Sequence, residues 1–136
     1  MKKTFIILIV LFLSGCATYN PQYMRNNPAN CISDNFSISP DKLFEKSKQS
    51  IQEINLIIRK SDPIQGTIIA TPNRLSSIGK RLIAVSSYTG LYIYITPQEN
   101  NYSKIEIVQT YDNPMDVGRD YKSLFLNRLK INLKEQ

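Results

Sequence analysis

Between residues 81 and 96 the chain changes face at every step. Ile83, Val85, Leu91, Ile93 and Ile95 occupy odd positions, and Tyr88, Tyr92 and Tyr94 occupy even ones. A period of two is the side-chain period of a β-strand, so this stretch sets an aliphatic face against an aromatic one. A strand with two such different faces belongs in an antiparallel sheet covered on one side and open on the other. The parity is kept through Ser86-Ser87-Tyr88-Thr89-Gly90. The stretch therefore reads either as one long strand kinked at Gly90 or as two strands meeting there. Leu75, Ile78, Leu82 and Val85 also fit a helical spacing, with Gly79 against it.

The flanking segments supply what such a strand needs. Gly66-Thr67-Ile68-Ile69-Ala70-Thr71 is a short β-type run closed by Pro72, and residues 73–80 read as loop. Pro97-Gln98-Glu99-Asn100-Asn101 is turn chemistry. Residues 103–111 form the predicted return strand, with Ile105 and Ile107 placed opposite Leu91, Ile93 and Ile95. Upstream, Ser39 is suited to cap a helix, Pro40 is preset for its first turn, and Asp41 matches its dipole. Ile38 and Leu43 are placed to staple its start. Leu43, Phe44, Ser47, Ile51, Ile54 and Ile58 recur at helical steps, which predicts an amphipathic helix over about residues 40–60, ended by Ser61-Asp62-Pro63. Tyr121, Phe125, Leu129 and Leu133, with Leu124 beside them, predict a second helix over about residues 117–134. The fold class expected is α+β, a two-layer domain with an antiparallel sheet of three or four strands and both amphipathic helices on one face.

The first sixteen residues follow other rules. Met1-Lys2-Lys3 is a basic start, and Phe5 to Leu13 is an unbroken apolar run. The run is too short to be a permanent span, which needs about 20 apolar residues, and it reads as the core of a signal peptide. Leu13-Ser14-Gly15-Cys16 resembles the lipobox of bacterial lipoproteins at all four positions. That resemblance covers residues 1–16. It implies that the Cys16 thiol takes a diacylglyceryl group through a thioether, that the chain is cut between Gly15 and Cys16, and that the new amino group is acylated. A second chain is what stable anchoring requires, since a single acyl chain binds reversibly. Residues 1–15 are then a signal peptide that is removed, and the mature chain lies outside the cytoplasm, away from ready ATP, GTP or NAD. Ala17 stands where an Asp would retain a lipoprotein in the inner membrane. For a Gram-negative source this implies the outer membrane, facing the periplasm.

Residues 16–37 read as a lipidated flexible tether. Asn20, Pro21, Asn26, Asn27, Pro28, Asn30, Asp34 and Asn35 crowd it, with little apolar periodicity. About 20 flexible residues have a typical reach of about 25 Å. Tyr19, Tyr23 and Met24 read as incidental tether residues, or as residues that dip into the headgroups or touch a partner. Cys31 is the odd thiol once Cys16 is lipidated. It is either buried and inert or an intermolecular disulfide to another chain, and no neighbouring His or Cys-x-x-Cys context activates it. The folded domain is expected over residues 38–136.

The chain has no histidine. That removes Ser-His and Cys-His catalytic pairs and every His-based metal site. Asp112, Asp116 and Asp120 are interrupted by Pro114 and do not match a calcium loop, so they read as turn and helix-start residues. Glu99 with Glu106, and Glu45 with Glu53, offer carboxylate pairs, but nothing in the sequence sets a pair about a cleft. Ser76 and Lys80 have Ser-x-x-Lys spacing without supporting context. No catalytic residue, metal or cofactor is expected.

Seventeen basic against eleven acidic side chains give +6. The basic groups are Arg59-Lys60, Arg74, Lys80-Arg81 and the helix-end Arg128, Lys130 and Lys134. In an exported, acylated protein they suit solvent, anionic lipid or an acidic protein better than nucleic acid. Tyr88, Tyr92 and Tyr94 are the candidate partner surface, because tyrosine is enriched at interfaces; they equally suit an outer sheet face paired across strands. The order helix, strands, helix resembles the C-terminal domains of the outer-membrane assembly lipoprotein BamC over about residues 36–134, and implies an interaction module. The function expected is a non-enzymatic accessory protein of the envelope, bound to the membrane through Cys16 and to another envelope protein. The alternative is a binder of a small amphiphile or lipid between helices and sheet.

Overall fold

The computed structural model describes residues 25–26, 30–72, 90–110 and 120–134. Its elements are β1 (Cys31–Phe36), α1 (Pro40–Glu53), β2 (Leu56–Asp62), β3 (Thr67–Pro72), β4 (Gly90–Pro97), β5 (Ser103–Thr110) and α2 (Tyr121–Lys134). The strands form one sheet in the order β1-β5-β4-β3-β2, and every neighbouring pair is antiparallel. The class is the expected α+β, with five strands rather than three or four.

The β4–β5 hairpin forms about the expected turn, and its aliphatic residues share one face as anticipated. Ile93 pairs with Ile107 and Ile95 with Ile105, while Leu91 faces Gln109. Asn100 and Asn101 turn it with φ of +58° and +64°, the left-handed region that Asn accepts better than most residues. The β2–β3 hairpin turns on Asp62, whose Oδ1 accepts from the N–H groups of Ile64 and Gln65, each at 3.0 Å. Gly66 completes that turn at φ +63°. Its carbonyl accepts from the Ile95 N–H at 2.7 Å, and a Cβ on it would lie 2.1 Å from the Ile95 carbonyl oxygen.

Two expected boundaries move. The helix predicted over residues 40–60 ends at Glu53. Asn55 adopts φ +59° and its N–H bonds back to Gln52 O at 3.0 Å, a left-handed stop that Asn can make. Leu56-Ile57-Ile58 then starts a strand, and Ile58 meets the core from the sheet instead of the helix. Residues 31–36, expected within a tether running to residue 37, are instead a strand that pairs with β5 from Cys31↔Val108 to Phe36↔Ser103. One turn of periodicity is too little to reveal a half-exposed edge strand rich in Asn, Asp and Ser. Position 124 also differs from expectation: Leu124 is exposed rather than part of the buried stripe.

Both helices cover the face that carries Ile68, Ala70, Leu91, Ile93, Ile95, Ile105 and Ile107, and they bring Leu43, Phe44, Ile51, Phe125 and Leu129 to it. Ser39 Oγ caps α1 by accepting from the Lys42 N–H at 3.4 Å. Asp120 starts α2, accepting from the Ser123 N–H at 3.1 Å and its hydroxyl at 2.6 Å. Gln109 of β5 accepts the Lys122 N–H at 3.2 Å, which docks the first turn of α2 on the sheet.

A polar clamp joins the two helices. The Glu53 carboxylate accepts from Asn132 at 2.8 Å, Gln49 at 2.9 Å and Arg128 at 2.5 Å, and these bonds hold its pKa down to about 2. Asn132 also donates to Ser50 Oγ at 3.0 Å. Because the folded pKa lies below the ordinary 4.5, the stabilisation is complete above about pH 4.5 and is lost as the pH falls towards 2. The melting temperature of the wild-type chain is expected to fall more steeply through that window than that of Glu53→Gln; parallel profiles would refute the clamp. Gly66→Ala is expected to cost about 2 kcal/mol or more, from the left-handed backbone and the clash with Ile95. Urea denaturation measures it, and an unchanged midpoint would contradict the close approach.

Candidate functional site

The even-numbered residues of β4 and β5 stand on the face away from the helices. Strand register sorts them into rows that cross the sheet. One row runs Cys31, Val108, Tyr92, Ile69, and the next runs Ser33, Glu106, Tyr94, Thr67. Tyr92 and Tyr94 thus lie side by side on the open face, half-buried, as their parity predicted. Tyr88 lies outside the described residues, as do Gly15 and Cys16.

Arg25, from the segment before β1, reaches this face. Its guanidinium sits 4.5 Å from the centroid of the Tyr94 ring. Its Nε donates to Glu106 Oε2 at 2.9 Å, and Nη2 donates to the same oxygen. Lys104 approaches the other carboxylate oxygen at 3.3 Å. Burial alone would raise the Glu106 pKa, but the bonds and charges of Arg25 and Lys104 outweigh it, and the net direction is down. Burial acts on Tyr94 in the other sense and raises its pKa, so the phenol stays protonated at neutral pH. An ionised carboxylate paired with two cations beside an aromatic ring holds a guanidinium well; it is not poised to exchange protons near neutrality.

Sequence reasoning missed this centre. The sequence offers Glu106 only as one of a carboxylate pair with Glu99, which instead lies exposed in the hairpin turn. The position of Glu106 was legible, since it shares parity with the return strand's outer face. Its partner was not, because Arg25 sits in a stretch without periodicity, 81 residues away.

The other candidates are placed as follows. Glu45 pairs with Lys48 at 2.9 Å, and Glu53 belongs to the helix clamp. Asp120 caps α2, whereas Asp112, Asp116, Ser76 and Lys80 lie outside the described residues. Among the described residues no group of three or more His, Cys, Asp or Glu could hold a metal. Of the basic groups, Arg128 is engaged by Glu53, and Lys130 pairs with Asp34 at 2.7 Å. Arg59 donates to Thr71 at 2.9 Å, and with Lys60 it flanks a register shift in the edge strand β2. A bulge and exposed cations are devices that discourage strand addition at an edge. An open depression of about 460 Å³ between α1 and β2 is lined by Glu45, Lys46, Lys48, Gln49, Gln52 and Ile58, a mainly polar wall.

Cys31 is a free, half-buried thiol. Burial raises its pKa, and the Glu106 charge adds to that rise. A thiolate is the reactive form, so the thiol is held in its unreactive state. Alkylation of Cys31 by iodoacetamide is expected to be slow at pH 7, with its rate rising at a higher pH than for an unstructured cysteine peptide. A midpoint at or below the peptide's would contradict the burial argument.

Comparison with known proteins adds no family. No protein-family model matches the chain, and no curated protein matches it. Similar solved structures include a DUF4468 family protein from Bacteroides ovatus, at 19% identity and TM-score 0.34, aligned over 60% of this chain and 55% of that one. This chain thus spans little more than half the length of that protein. Protein MLL2253 from Mesorhizobium loti aligns at 12% identity and TM-score 0.46, over 78% of this chain and 98% of that one. Ara h 8.0201 aligns at 9% identity and TM-score 0.41, over 76% and 97%. The fold described above rests on its own strand pairing.

Proposed function

We propose that the protein is a bacterial envelope lipoprotein, anchored by acylated Cys16 and carrying a small α+β interaction module on the periplasmic side of the outer membrane. The observation that carries this reading is the run from Met1-Lys2-Lys3 through Phe5–Leu13 to Leu13-Ser14-Gly15-Cys16, followed fifteen residues later by the first strand of the domain. The module binds another envelope protein and performs no chemistry of its own. Two features support that part. Tyr92 and Tyr94 are half-buried beside an ionised Glu106 that Arg25 and Lys104 hold as a charge pair, an arrangement that fixes a side chain rather than one poised to exchange protons. The space between the helices and the sheet is filled by Leu43, Ile51, Ile93, Ile107, Phe125 and Leu129, each fully buried, which favours a protein partner over an amphiphile held there. The likeness to the C-terminal domains of BamC belongs with this reading and assigns no residue.

Cys16→Ser is expected to abolish acylation and cleavage, so that the N-terminal peptide keeps residues 1–15 and has no lipid mass. The wild-type mature peptide should begin at Cys16 and carry the added acyl mass. An unmodified Cys16 in mature protein from membranes would sink the proposal. Crosslinking in intact cells, with Cys16→Ser as the unanchored control, is expected to capture one dominant envelope protein with the wild-type chain only.

A further inference from the structure

Arg25 falls in the stretch read from the sequence as tether, yet its side chain is fixed to the domain. Its partners sit on rigid elements: Tyr94 in β4 and Glu106 in β5 are directly paired, and both strands are interior to the sheet. The Arg25 side chain is 25% exposed and that of Glu106 14%. A guanidinium stacked on a ring and bonded to a partly desolvated carboxylate is a stronger contact than an exposed ion pair, which contributes little. Arg25 lies outside the paired strands of the sheet. The side-chain site itself holds it.

We propose that Arg25 is a latch, docking the segment before β1 onto the Tyr94–Glu106 site so that the chain itself occupies the open face. The link between the acylated cysteine and the latch is then only the stretch from Cys16 to Arg25. Eight residues lie between those two positions, so the nine steps span at most about 30 Å when fully extended. A consequence, which rests on the acylation of Cys16, is orientation. The open face is held towards the bilayer, and the α1–α2 layer is turned away from it into the periplasm.

The latch is tested without the lipid, in the full chain carrying Cys16→Ser in detergent. Chymotryptic cleavage after Tyr23, two residues before the latch, is followed by mass spectrometry under native conditions. Arg25→Ala and Glu106→Gln are each expected to speed that cleavage about tenfold, and the two together no further than either alone. Arg25→Lys keeps the charge but not the planar fork and should fall between. The exchanged pair Arg25→Glu with Glu106→Arg should be cleaved more slowly than either single exchange, which a merely misfolded variant would not show, though faster than the parent because the segment loses its stack on Tyr94. Equal cleavage in the parent and in Arg25→Ala overturns the latch.

The orientation is tested on the acylated chain bound to phosphatidylethanolamine–phosphatidylglycerol vesicles that carry a headgroup quencher. In a Cys31→Ser background, a fluorophore at Ser33→Cys on the open face should be quenched more than one at Gln52→Cys on α1, and Arg25→Ala should remove the difference. If Arg25→Ala loses protection but the two labels are quenched alike, the latch stands and the orientation is refuted. If the chain carries no acyl group, the anchoring reading fails and the latch is judged by proteolysis alone.

Discussion

Leu91, Ile93 and Ile95 of β4 and Ile105 and Ile107 of β5 make one continuous aliphatic surface, none of them more than 5% exposed. Full burial of such side chains is worth about 1.5–3 kcal/mol each, so a sheet face of this kind is stable only when it is covered. The rest of the domain answers that demand. Two helices lay Leu43, Phe44, Ile51, Phe125 and Leu129 on it. β3 extends the surface with Ile68 and Ala70, and β2 closes its far edge with Leu56. The opposite face of the same strands is released from the core, which is why it can carry Tyr92, Tyr94, Lys104 and Glu106.

Apolar burial is non-directional and would tolerate several placements of the helices. Polar contacts choose among them. Gln109 holds the start of α2 to β5, Lys130 ties its outer side to Asp34 of β1, and Asn132 and Arg128 bind it to Glu53 of α1. Ser103 fixes the approach to α1 by donating to the Ile38 carbonyl at 2.7 Å. Leaving the buried Gln109 or Asn132 unpaired would cost more than the bond itself contributes, so these two act on specificity as much as on stability, while the exposed pairs of Lys130 and Arg128 contribute less.

The open face follows different physics. Its contacts are stacking and charge pairing across half-buried side chains, strong enough to hold an arginine from outside the sheet. In the proposed arrangement the same contact serves the anchor, since a leash fixed at Arg25 leaves the domain less freedom than a long unstructured tether would. The charge balance fits that role. Arg128, Lys130, Lys104 and Arg25 are engaged by carboxylates within the chain, so the formal +6 overstates what these surfaces offer an acidic partner.

The sequence by itself determined the class of the fold, the β4–β5 hairpin and its aliphatic face, the start of α1, and the outward side of Tyr92 and Tyr94. All of these are written in spacing between neighbours, where a period of two or of three to four residues reports directly on which side is covered. The lipobox and its cysteine are also local, and they carry the proposal about anchoring. Tertiary structure alone decided the end of α1, where Leu56-Ile57-Ile58 suits helix and strand equally and the left-handed Asn55 with β3 alongside selects the strand. It alone made an edge strand of Cys31–Phe36, whose mixed polar side chains acquire meaning only beside β5. And it alone joined Arg25 to Glu106, because a contact between residues 81 positions apart leaves no periodic trace in the chain and exists only once the sheet has brought its two ends together.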